Sequence, residues 1–171
     1  MDARRFLGSV AFFAETLTAD ELDTLAVGAR DVQFDRGVTI IREHDAGDSL
    51  FVVVQGAATV SIRDAGMDRS VATLRGGEIF GEMSLLTGAP RAATVVAQTP
   101  VVALEVDHSA LRPLLKAEPL LSERFAEMLE KRRAELDQLY GPGLWPFLGR
   151  KSRDFALSIR SYFDVADRTA H

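Results

Sequence analysis

Two opposite charges nine positions apart, Glu82 and Arg91, carry the first chemical signal in the 171-residue chain. They sit in the run Phe80-Gly81-Glu82-Met83-Ser84-Leu85-Leu86-Thr87-Gly88-Ala89-Pro90-Arg91-Ala92-Ala93-Thr94-Val95, which interrupts a strand-like pattern and attempts one helical turn at 83–86. A short helix whose first amides lack partners, followed by a returning arginine, makes a pocket for one anion. Gly81 lets backbone approach such a ligand closely. Glu82 would repel a second phosphate charge, which argues against a nucleoside triphosphate or phosphoprotein and selects a sugar hydroxyl instead. Taken singly, each residue has a plainer reading: a glutamate after glycine interacts with a helix dipole, and an arginine after proline lies solvated on a loop. Other chemistry is poorly supplied. The chain has no cysteine, and His44, His108 and His171 lie far apart with no His-x-His or His-Glu-x-x-His spacing for a metal or a barrel oxygenase.

The elements that must position this run alternate between two periods. Thr18-Ala19-Asp20-Glu21 forms a capping box, and Leu22, Leu25, Ala26 and Ala29 follow at helical spacing. Residues 6–13 read as an apolar packing segment, too short and wrongly flanked for a secretory signal. Short Val-, Ile- and Phe-rich segments then follow, punctuated by glycines, predicting strands at 31–34, 38–42, 49–55, 57–63, 70–74, 94–97 and 101–106. Helical period returns with Asp107 as cap for a helix over 108–116, and with Pro119 in the first turn of a longer one ending near Tyr140. Leu121, Phe125, Met128, Leu129, Leu136 and Leu139 give that helix its apolar stripe, and Gly141-Pro142-Gly143 ends it. Phe155, Ile159, Tyr162 and Phe163 then line one side of a final short helix. The expected fold is mainly β with flanking helices: an antiparallel β-roll or jelly-roll barrel with an N-terminal helix, a short central helix and two C-terminal helices. Residues 1–140 form the domain, and 141–171 a Gly/Pro hinge with a short amphipathic tail.

The ordered run resembles the phosphate-binding cassette of the cyclic nucleotide-binding domain family: Phe-Gly-Glu, an apolar residue, a small one, Leu, then a short link to Pro-Arg, a small residue and Ala. The resemblance extends over residues 12–140, including Gly37, Gly47 and Gly56, and Pro90-Arg91-Ala92-Ala93-Thr94-Val95 is most similar to the kinase regulatory-subunit version. It implies that Glu82 accepts a hydrogen bond from a ribose 2′-hydroxyl and that Arg91 pairs with the exocyclic oxygens of a cyclic phosphate. The backbone amides of Gly81, Ser84 and Ala92 fill in around the ligand, with Met83 and Ala93 completing the cassette. In this family a hydroxyl residue directly after the cassette arginine favours guanine, and Ala92 lacks one. The implied ligand is therefore cAMP in preference to cGMP, with cGMP also accommodated. The long C-terminal helix would swing over the purine, with Leu129, Arg132, Arg133 and Leu136 as candidates. Arg132 is the choice for stacking on the base; the competing reading pairs Arg132 and Arg133 with Glu127, Glu130 or Glu135 on a solvated helix face. Leu85 and Leu86 would transmit the change to a hinge near 116–119.

A net charge of −5 is the wrong sign for a chain dominated by phosphate-backbone contacts, so nucleic acid is a poor partner. Residues 141–171 are too few for a helix-turn-helix module, and Arg4-Arg5-Phe6-Leu7 is no Arg-Arg-x-Ser inhibitor segment. Two outputs remain. The domain is a cytoplasmic sensor joined to the pore domain of a bacterial cyclic nucleotide-gated or mechanosensitive-type channel, hence part of an inner-membrane protein. Alternatively, it is a free-standing cAMP-binding protein whose partner docks on the tail or on Trp145. Neither reading makes it an enzyme or gives it a metal, and the chain itself offers no stretch long enough to span a membrane. The stripe on the long helix could also join two copies.

Overall fold

The structure, a computed structural model, describes residues 2–140 and 152–165. Asp2 accepts from the Arg5 amide at 3.1 Å and starts helix α1 (Ala3–Gly8), which α2 (Ala11–Ala14) follows. The apolar segment expected at 6–13 is thus two short helices, and they carry Leu7 and Phe13 wholly into the core. The capping box at Thr18 and Glu21 forms as read and opens α3 (Ala19–Gly28).

Eight strands follow: β1 (Arg30–Phe34), β2 (Thr39–Ile41), β3 (Ser49–Gln55), β4 (Ala58–Asp64), β5 (Met67–Leu74), β6 (Ile79–Phe80), β7 (Thr94–Ala97) and β8 (Val101–Asp107), with α4 (Glu82–Thr87) between β6 and β7. They pair antiparallel in two four-stranded sheets, β1-β8-β3-β6 and β2-β7-β4-β5. Phe51, Val53, Phe80 and Ala103 of the first sheet share one buried cluster with Ala58, Val60, Val95 and Ala97 of the second. On its other face the first sheet turns Leu50, Val52, Leu104 and Val106 towards the helices. With both faces covered, β3 loses the apolar–polar alternation of a half-solvated strand and reads Leu50-Phe51-Val52-Val53 without a break.

The jelly roll is present, but its two sheets do not close into a barrel. The reason lies at β6, which the sequence pattern hides among glycines. Ile79 and Phe80 pair with Val52 and Phe51, and the chain then leaves the sheet into α4 before any ladder to the second sheet can form.

Asp107 caps α5 (His108–Ala117) by accepting from the Ala110 amide at 2.9 Å. α6 (Leu121–Tyr140) buries Leu121, Phe125 and Leu129 against the helical core, whereas Leu139 near its end is 71% exposed. α7 (Ser152–Phe163) returns to that same core, burying Phe155, Ile159 and Phe163 in one cluster with Leu85 and Leu86 of α4. An Arg160–Glu123 ion pair fastens it to α6. The expected Gly141–Gly143 break and Trp145 lie outside the described residues. Among the described residues no helix is long and apolar enough to cross a membrane.

Candidate functional site

Arg91 reaches the site on the segment that returns from α4 to β7. Backbone bonds hold it in place: its amide donates to the Asp45 carbonyl and its carbonyl accepts from the His44 amide, both at 2.8 Å. The side chain is only 6% exposed. Nη1 donates to the Ser49 carbonyl at 2.6 Å and to the Gly81 carbonyl at 3.3 Å, and Nη2 donates to Ser49 Oγ at 3.0 Å. A side chain at Gly47 would overlap the guanidinium, so the arginine lies directly against backbone there.

All three acceptors are neutral, and among the described residues no carboxylate forms an ion pair with Arg91. Burial pushes its pKa below the ordinary arginine range; Asp48, Glu105, Glu82 and Tyr162 oppose that at longer range. An arginine so placed stays protonated, with Asp48, Glu105 and Glu82 near enough to act on it but no carboxylate in direct contact. A buried cation held only by dipoles is costly, and an incoming anion relieves that cost.

Gly81 brings the other wall close. Its φ of 85° lies in the left-handed region, and an added Cβ would stand 2.7 Å from Arg91 Nη1 and 2.8 Å from the Ser49 carbonyl oxygen. Glycine is required on both counts. It also has no side chain to cap α4, whose first amides are left without a side-chain partner. Met83, Ser84, Ala92 and Ala93 complete the depression around Gly81, Glu82 and Arg91, so the seven cassette residues named from the sequence converge on one pocket.

Glu82 is 4% exposed and has a partner from the far end of the chain. Arg132 of α6 donates from Nε to Glu82 Oε1 at 2.6 Å and from Nη2 to the Ile79 carbonyl at 2.8 Å. Of the carboxylates suggested for Arg132 by helical spacing, none is its partner here. Beside this pair opens an apolar cleft between the second sheet and α6, lined by Val60, Ile62, Val71 and Leu74 on one side and by Arg132, Glu135, Leu136 and Leu139 on the other. Leu136 and Arg132 therefore face the cleft, while Leu129 packs in the helical core.

Ser49 escaped the sequence reading, and Gly47 entered it only as one of the punctuating glycines, with no role beside Arg91. The only signal was local, the Gly47-Asp48-Ser49 triplet that ends a turn and opens β3. Among the described residues no His, Asp and Glu cluster could hold a metal.

Residues 31–118 match the model of the cyclic nucleotide-binding domain family. A cGMP-dependent protein kinase of Eimeria tenella is 36% identical over 112 residues, covering 66% of this chain and 11% of that protein. A cAMP-dependent protein kinase regulatory subunit of Pyricularia oryzae is 33% identical over 125 residues, covering 72% of this chain and 32% of that one. The chain thus spans a third or less of those two relatives. Among solved structures, the regulatory domain of Toxoplasma gondii PKA in complex with cAMP superposes with a TM-score of 0.61 at 25% identity, covering 74% of this chain and 56% of that one.

Proposed function

Because the chain belongs to the cyclic nucleotide-binding domain family, we propose that it binds cAMP in preference to cGMP and works as a regulatory sensor through its C-terminal helices. The observation that carries this reading is Arg91, a buried guanidinium held by neutral acceptors alone. A cyclic phosphodiester brings one negative charge, which one arginine and a few amides neutralise. Its exocyclic oxygens would take the remaining donors of Arg91 and the amides of Gly81, Ser84 and Ala92.

Glu82 would accept from the ribose 2′-hydroxyl. A carboxylate has about four lone-pair sites on two oxygens, so Oε1 can keep Arg132 while Oε2 takes the hydroxyl. The base would enter the apolar cleft under α6. A guanidinium donates in its plane and stacks by its face, so Arg132 can hold Glu82 and cover the purine together. Ala92 offers no hydroxyl to the guanine 2-amino group, hence the preference for adenine.

In this reading the ligand biases α6 only by the difference it sees between two helix positions. Leu85 and Leu86 lie on α4, directly beneath the cassette and inside the helical core, which supports them as the route from the phosphate to the helices. The switch would drive either a pore domain on the same polypeptide or a separate partner protein; spanning helices encoded in frame upstream would favour the pore.

Isothermal titration with cAMP and cGMP tests the proposal. Two charge-assisted hydrogen bonds from Arg91 contribute about 3–6 kcal/mol together. Arg91→Ala should then lose roughly 10²–10⁴-fold in affinity. Parent protein that binds neither nucleotide, or Arg91→Ala that binds as tightly as the parent, would overturn it.

A further inference from the structure

The family match ends at residue 118, yet the far C-terminal helix α7 touches the cassette directly. A Cβ at Gly88 would stand 2.6 Å from Tyr162 Cδ2 and 2.7 Å from Cε2, so the tyrosine ring rests on bare backbone at that point. Gly88 caps the C-terminus of α4 with φ at 75°, its amide donating to the Ser84 carbonyl at 3.0 Å. Only Ala89 and Pro90 separate it from Arg91, and Pro90 has a fixed φ, so a displacement at Gly88 passes to the arginine with little slack.

The same aromatic group reaches the other side of the arginine. Tyr162 meets the His108 ring edge-on, with centroids 4.8 Å apart, and Phe163 stacks flat on that ring at 4.2 Å. His108 Nε2 lies 3.2 Å from the Tyr162 carbonyl, and the His108 amide donates to the Asp48 carbonyl at 2.9 Å. Asp48 immediately precedes Ser49, whose carbonyl and hydroxyl hold the guanidinium. Burial and Asp48 raise the pKa of the Tyr162 phenol while Arg91 lowers it, consistent with a phenol inside the electrostatic reach of both. Three buried anchors, Phe155, Ile159 and Phe163, keep α7 from being a loose appendage.

We propose that Tyr162 is a positioning residue for the anion-binding loop: its ring braces Gly88 at the foot of the segment carrying Arg91, so that docking of α7 and occupation of the cassette strengthen each other. The inference rests on the cyclic nucleotide reading above and adds a second output to it, distinct from the movement of α6. Coupling between two sites is reciprocal, so each event must favour the other by the same factor.

Two measurements on the full chain test it. Hydrogen exchange of the amides at 152–163, with and without saturating cAMP, needs no variant; slower exchange with cAMP is expected, and unchanged exchange would overturn the proposal. Titration with cAMP then compares Tyr162→Phe, which keeps the ring, with Tyr162→Leu and Tyr162→Ala, which lose it. Tyr162→Phe should bind within about twofold of the parent. Tyr162→Ala should bind at least about fivefold more weakly, with Tyr162→Leu between them and cAMP protection of α7 reduced in both. Parent-like affinity in Tyr162→Ala would sink the positioning role while leaving cyclic nucleotide binding intact. A parent chain that binds no cyclic nucleotide would instead remove the reading beneath it.

Discussion

The Arg132–Glu82 pair offers the sharpest test of how the lid helix is held. Its Nε–Oε1 distance is 2.6 Å, and the two side chains are 24% and 5% exposed. A charge-assisted hydrogen bond contributes about 1.5–3 kcal/mol, and the partial exposure of Arg132 argues for the lower end. Arg132→Met keeps an apolar stem over the cleft but removes both donors. It also strands a buried carboxylate, which adds about 1–3 kcal/mol of uncompensated desolvation. The expected loss of stability is therefore about 2.5–4.5 kcal/mol, a fall in Tm of roughly 5–18 °C for a chain of this size. Glu82→Gln, which removes the charge and keeps the shape, should cost less. In the double variant no charge is stranded, so the two losses should not add, leaving a coupling energy of about 1.5–2 kcal/mol. Urea unfolding of the four ligand-free proteins, followed by circular dichroism, reads this cycle directly. A coupling below about 0.5 kcal/mol would refute the claim that this pair ties α6 to the cassette.

Three other expectations follow from the same geometry. Gly81→Ala forces a Cβ into Arg91 Nη1 and the Ser49 carbonyl at positive φ, and should cost about 1–3 kcal/mol and weaken cAMP binding; thermal melts matching the parent would contradict the close approach. Ala92→Thr should raise cGMP affinity relative to cAMP by roughly 2–10-fold, the value of one neutral hydrogen bond, and paired titrations with an unchanged ratio would remove the basis for adenine selectivity. Tyr162 ionises above the ordinary phenol value of 10.0, chiefly because it is desolvated, with Asp48 adding to the effect and Arg91 opposing it. A pKa higher in the folded than in the unfolded chain means that the stabilisation is complete below pH 10.0 and lost as pH rises through the folded value. In a Tyr140→Phe background, the midpoint of the tyrosinate absorbance should therefore lie above pH 10.0, and docking of α7 should weaken as pH rises through it; a midpoint at or below pH 10.0 would contradict the partly buried placement of the ring.

Much of this was legible in the sequence because it is local. Capping at Thr18 and Asp107 depends on residues three apart, and the strands announce themselves through short apolar runs between glycines. The cassette residues Gly81 to Ala93 are contiguous, so their type and order were enough to bring seven of them to one pocket. β6 was hidden because two residues carry no period, and the closure of the sheets depends on what happens there. Which distant groups meet was a different matter. Ser49 grips Arg91 from 42 positions away, and Arg132 finds Glu82 from 50. Helical spacing could suggest only partners within α6, since periodicity tells which face a residue occupies and not what packs against that face. Tyr162 on Gly88 is the extreme case. The sequence alone determined an apolar face on the tail helix, and only the packing of α7 into the helical core decided that this face rests on the cassette, because burying Phe155, Ile159 and Phe163 fixes the helix where the bare backbone of Gly88 receives the ring.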